Sequence, residues 1–146
     1  MRYINLTPHE VTLYAEDGST VLERIPASGM VARVVMTNPE PDKHAVATVP
    51  LFTPGRVHSI DMGVSDDLND DEAVYIVSMF TAQAIADCSD RDGSNSWRGR
   101  VVYPGTGPTD NAVRDEQGRI CGVTRLYRPF PGWWSWPTRP SIEATA

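Results

Sequence analysis

Short apolar runs rich in Val, Ile and Tyr, each cut off by proline, glycine or an Asp/Asn turn, recur along this chain. Proline lacks a ladder donor, and glycine, Asn and Asp favour reversals, so such a sequence cannot carry long helices. It is confined to short strands. Glu10 to Ala15 alternates, with Val11, Leu13 and Ala15 on one face. Glu16-Asp17-Gly18 then supplies a hairpin turn in which Gly18 can take positive φ. Thr20 to Ile25 is the return strand, stopped by Pro26. Tyr3 to Leu6, Val31 to Met36, His44 to Leu51 and Val57 to Ile60 read as further strands. Asn38 to Asp42, with two prolines, reads as a surface loop.

The second half holds the one helical candidate. Ala73-Val74-Tyr75-Ile76-Val77-Ser78 is a continuous β-branched and aromatic run, which suits a buried strand. Met79 to Cys88 then spaces Met79, Ala82 and Ala86 three and four apart among good helix formers, predicting a short helix. Val101-Val102 is a strand, Tyr103 to Asp110 a Pro/Gly-rich loop, Asp115-Glu116-Gln117-Gly118 a hairpin turn and Ile120 to Leu126 the strand after it. The expected fold class is α+β: one β-rich domain, residues 1–128, of short, mostly antiparallel strands with one short helix. A Pro/Trp-rich tail, 129–146, follows.

With 40% hydrophobic and 22% charged residues in 146, the composition is that of a globule large enough to bury its own core. No apolar run approaches the roughly 20 residues that cross a bilayer. Met1 to Val11 has neither the apolar segment nor the cleavage site of a signal peptide, so a cytosolic protein is expected. Cys88 and Cys121 are then expected to be reduced. The net charge of −6 is uneven: residues 1–90 carry five basic and fourteen acidic groups, residues 91–146 eight and five. An acidic chain is poorly suited to duplex nucleic acid, where phosphate neutralisation dominates affinity. A small anion or an acidic protein patch remains open to the arginine-rich part.

No set of catalytic residues is legible. In Asp90 to Asn95, glycine falls fourth and the twelfth residue is Val101, against the calcium-loop pattern of glycine sixth and glutamate twelfth. His9, His44 and His58 have no metal-ligand spacing, so neither metal nor cofactor is expected. Ser78 stands between a strand and a helix but lacks the flanking glycines of a nucleophile elbow. Cys121 has no spacing that ties it to a histidine.

The loop at Tyr103-Pro104-Gly105-Thr106-Gly107 offers a binding reading instead. Gly105 and Gly107 would let backbone N–H groups cradle an anion, Thr106 adds a hydroxyl, and Tyr103 offers a ring for stacking. Arg98, Arg100 and Arg114 would pair with the anionic oxygens. With no lysine and with Pro108 following, this is not a nucleotide triphosphatase loop. Trp133, Trp134 and Trp136 among prolines either fold back on the domain or anchor a partner or sister subunit.

Asn5-Leu6-Thr7-Pro8-His9, Ile25-Pro26-Ala27-Ser28-Gly29, Tyr75-Ile76-Val77-Ser78, Val102-Tyr103-Pro104-Gly105-Thr106-Gly107 and Val113-Arg114-Asp115-Glu116 occur here in that order. Over residues 3–127 the chain resembles a family of small proteins encoded by phages and prophages of GC-rich bacteria. That family has no agreed activity, so the resemblance implies a setting, the cytoplasm of a bacterial host, and no chemistry. The leading expectation is a non-enzymatic binding protein, homo-oligomeric, that engages a host protein or sequesters a small anionic signal in counter-defence. The alternatives are a minor virion or decoration protein and an unrecognised hydrolase.

Overall fold

The apolar run at Ala73 to Val77 has no polar position in its alternation, and a strand of that kind needs cover on both faces. The computed structural model describes residues 2–43, 48–64, 72–87 and 100–129, and it places the run at the centre of a four-stranded sheet. Its strands are β1 (Arg2–Asn5), β8 (Ala73–Ile76), β9 (Val101–Pro104) and β12 (Leu126–Tyr127), in that spatial order. β1 and β9 flank β8 in parallel, and β12 closes the edge antiparallel to β9.

Side chains of this sheet sort by parity. Ala73, Tyr75, Val77 and Val101 point one way, into a core with Leu6, Ala32, Met62, Ala82 and Ile85. Ile76 and Val102 point the other way, into a core with Val11, Ile25 and Val123. The first core is covered by α1 (Met79–Asp87), which leans on β9 and on the ribbon of β4 (Arg33–Met36) and β7 (Val57–Asp61). The second is covered by the hairpin of β2 (Val11–Tyr14) and β3 (Val21–Ile25), whose turn holds Gly18 at φ 72° as expected. β10 (Val113–Arg114) and β11 (Ile120–Gly122) pair antiparallel across the expected turn. They join the β2–β3 hairpin through Val123, which receives an N–H from Tyr14 at 2.8 Å and donates to Thr12 at 3.0 Å.

The strand-rich α+β reading, with one short helix and mostly antiparallel pairing, therefore stands, with four differences in detail. The central sheet is parallel at both β1–β8 and β8–β9, and in the second pairing α1 lies between the two strands in the chain, as in a βαβ unit. The expected single strand Ile120–Leu126 is divided: it pairs in the outer layer as far as Val123, then enters the central sheet as β12. The loop expected at 38–42 contains β5 (Glu40–Pro41), paired with β6 (Phe52–Thr53). The strand expected at 44–51 is instead a bend over its described residues, and 44–47 lie outside them. No helix among the described residues is long and apolar enough to cross a membrane.

Two-sided cover makes adjacent positions of β8 equally intolerant. Ile76→Ala and Val77→Ala should each cost about 2 kcal/mol or more in urea unfolding. A strand with one solvated face would show one costly position and one nearly neutral neighbour.

Candidate functional site

The carboxyl ends of parallel strands are where chains of this architecture present loops to ligands. Here the ends of β1, β8 and β9 open onto a groove of about 390 Å³. Thr7, His9 and Glu10 come from the turn after β1, and Ser78 and Met79 from the entry to α1. Pro104 and Thr106 come from the loop after β9, and Ile120, Cys121, Gly122 and Val123 from β11 and its exit. Val11 and Thr12 of β2 complete the wall. Three segments singled out in the sequence thus meet at one place: the turn after Asn5, Ser78, and the loop after Tyr103.

The first wall is fixed by Asn5, only 1% exposed. Its Nδ2 donates to the carbonyls of His9 (2.7 Å) and Ile25 (3.1 Å), and its Oδ1 accepts from the N–H (3.0 Å) and Oγ1 (2.6 Å) of Thr7. Every polar site of the amide is used, so the Asn5–His9 turn is held to both β1 and β3. The Asn-Leu-Thr-Pro-His motif is therefore a structural clamp that presents His9 outward. Ser78 is likewise occupied: its Oγ accepts the N–H of Thr81 (3.3 Å) and donates to Thr81 Oγ1 (3.0 Å), capping α1.

The loop after β9 is organised around Asp110. One carboxylate oxygen accepts the Gly107 N–H and the other the Tyr127 hydroxyl, both at 2.7 Å. The Gly105 N–H donates to the Arg125 carbonyl at 3.0 Å, and a Cβ on Gly105 would lie 2.6 Å from the Tyr127 ring. The two glycine amides expected to cradle an anion are therefore already taken, one of them by the chain's own carboxylate. Gly105 serves a close approach of loop to ring, and a Cβ on Gly107 would lie 2.9 Å from the Asp110 carboxylate.

The other expected contacts also point elsewhere. Tyr103 packs against Tyr127 with ring centroids 5.6 Å apart, and its hydroxyl receives Nε2 of the buried Gln83 at 3.4 Å, so its ring is a core surface. Arg100 lies over the Tyr75 ring, 5.3 Å from its centroid. Arg114 donates to the Gly118 carbonyl at 2.8 Å across its own hairpin. Of the expected ligand contacts among the described residues, only Thr106 lines the groove. Arg98, Trp133, Trp134 and Trp136 lie outside the described residues.

What faces the groove without an intramolecular hydrogen bond among the described residues is the His9 ring, the Thr106 hydroxyl and the exposed Cys121 thiol. Glu10 lies 3.8 Å from Arg24, an exposed pair of small energetic weight. Val11, Met79, Pro104, Ile120 and Val123 give the groove its apolar wall, and Met79 and Ile120 are 48% and 39% exposed. The sequence flagged His9 and Cys121 singly. Nothing in their spacing showed that β11 would be carried alongside the turn after β1.

Two expected outcomes follow from this geometry. Asn5→Asp replaces the donor facing two carbonyls with an acceptor, so it should destabilise by about 3 kcal/mol in urea unfolding. Hydrogen bonds from Tyr127 and then Gly107 hold the Asp110 carboxyl below the usual carboxylate range. Its contribution is therefore complete above the unfolded-state pKa and lost as pH falls through the lower folded value. Asp17, lowered mainly by the Thr20 and Ser19 amides, acts in the same direction. Asp110→Asn should flatten part of the drop in melting temperature between about pH 5 and about pH 2, scanned calorimetrically.

Comparison with protein-family models, curated proteins and solved structures gave no match, so the site rests on its own chemistry.

Proposed function

We propose that this chain is a non-enzymatic binding protein that uses the groove at the carboxyl ends of β1, β8 and β9 to engage a protein partner. In the phage setting that the resemblance implies, that partner is a host factor. The observation that carries the reading is the convergence of loops from four strands on one concave, mostly apolar wall with a few outward polar groups. Sites of this size and make-up suit an apolar anchor fixed by a small number of hydrogen bonds. Met79 and Ile120 supply exposed apolar contact, while His9 and Thr106 supply direction.

The small-anion version has less support. The glycine amides, Arg114 and the Tyr103 ring have partners within the chain, which weakens the case for a cradle at residues 103–107. A counter-defence role and a place in the virion are both compatible with a partner-binding groove, and protein mass spectrometry of purified particles separates them.

A photo-crosslinking residue placed at Met79 should trap a host protein during infection, while the same residue at exposed Glu23 should not. Ile120→Asp should weaken the trapped complex at least tenfold, measured with both purified proteins. Equal trapping at both positions, or at neither, would remove the groove as the contact. Calorimetry against cyclic and ADP-ribose-type nucleotides tests the anion version directly. Binding there that vanishes in Thr106→Ala would reinstate it.

One observation favours a second reading, a thiol-dependent hydrolase: the groove has both the His9 imidazole and the Cys121 thiol on its wall. Turnover abolished by Cys121→Ser and by His9→Ala, in chains that still fold, would establish it. Ser78 has less support as a nucleophile, since its hydroxyl is engaged in capping α1.

A further inference from the structure

The layer that covers the second core leaves an opening. Between the central sheet and the β2–β3 hairpin lies a cavity of about 220 Å³, which shares no lining residue with the groove. Tyr3 of β1, Leu13 of β2 and Leu126 of β12 line it, and all three pack on the core that holds Ile76 and Val102. Leu22 lines it too and is 64% exposed. Apolar side chains therefore run from the open surface at Leu22 down to the core. The volume is below the usual range for a small-molecule site and suits a single side chain.

Where the chain goes next identifies what fills it. Arg125 and Leu126 line the cavity, and β12 ends one residue later at Tyr127. From Phe130 the sequence continues to Ala146, with Trp133, Trp134 and Trp136 close behind Phe130. An extended chain advances roughly 3.3 Å per residue, so all three indoles can reach a cavity that Leu126 itself lines. Four large aromatic side chains so close together are costly to leave in water. Pro129, Pro131 and Pro137 restrict the backbone around them, which lowers the entropy lost when the segment docks. Arg125 Nη1 donates to the Thr109 carbonyl at 3.1 Å, and a guanidinium anchored in this way offers an indole a stacking surface. Tethering selects this occupant over a separate one. A segment joined to the cavity wall by a few residues is present at an effective concentration on the order of millimolar, and any second protein would have to displace it.

We propose that the aromatic segment 130–136 docks on its own domain and seats an indole in the cavity formed by Tyr3, Leu13, Leu22 and Leu126. The tryptophans then close the second core, in place of anchoring a partner or a sister subunit. The groove is left open, so this contact and the groove's function stand independently of each other.

The test uses the tryptophans themselves. In a Trp97→Phe chain every remaining indole belongs to this segment. The folded chain should show blue-shifted emission and slow quenching by acrylamide, both lost in urea. Leu22→Asp places a charge on the cavity wall at an exposed position, so circular dichroism should be unchanged while quenching rises toward the urea value. Val49→Asp, at a comparably exposed apolar position, should leave the emission as it was. A photo-crosslinking residue at Leu22 in the full chain should join to a peptide from 130–146, read by mass spectrometry. In a mixture of isotopically labelled and unlabelled chains, the two joined peptides should carry the same label. Indoles quenched as fast in the folded chain as in urea overturn the proposal, as does shielding that Leu22→Asp leaves intact. Shielded indoles without a joined peptide from 130–146 place the segment elsewhere and overturn it as well. Joined peptides of mixed label assign the contact to a second copy and overturn the single-chain arrangement.

Discussion

Burial of both faces of β8 is the constraint on which the rest of the molecule depends. A strand without a polar face needs two covering layers, and the chain supplies them from different parts of its length. α1 and the base of the β4–β7 ribbon cover one side, and the β2–β3 hairpin with Val123 covers the other. Once β8 is central, its parallel neighbours β1 and β9 must end at the same edge. The groove is the product of that alignment. Its walls are loops that have no reason to be near each other except that their strands run the same way.

The polar groups around the groove divide into those that hold it and those that face outward. Asn5, Ser78, Asp110 and the amides of Gly105 and Gly107 all belong to the first kind. Residue types associated with catalysis or anion binding are here used to fix turns, since a buried amide or a helix end left unmatched would cost more than an exposed one. The result is a rim whose polar groups, among the described residues, are mostly engaged within the chain.

Local features were legible because their causes are local. The Ala73–Val77 run announced a buried strand, the spacing in 79–88 a helix, and Asp17-Gly18 and Gln117-Gly118 their turns. The parallel order of β1, β8 and β9 was hidden, since no short-range pattern distinguishes parallel from antiparallel partners in a fully buried strand. The division of 120–127 was hidden for a related reason. Ile120 to Val123 and Leu126 to Tyr127 are equally β-prone, and only tertiary pairing decides that they serve different sheets. The hydrogen bonding at 103–107 was hidden too, because nothing in the glycine motif shows that Asp110 and the Arg125 carbonyl take the Gly107 and Gly105 donors.

Pairing Arg2 with Ala73 and Asn5 with Ile76 has a consequence for how the molecule is made. β1 is translated early, but the strand it must lie beside emerges only after the whole β2–β7 stretch. Contacts of such long sequence separation form slowly, because the intervening chain must be closed into a loop before they are rewarded. The nascent chain is therefore held, for much of its synthesis, with β1 awaiting a neighbour and only local hairpins in place. The centre of the sheet can assemble only once β8, and after it β9 and β12, has been made.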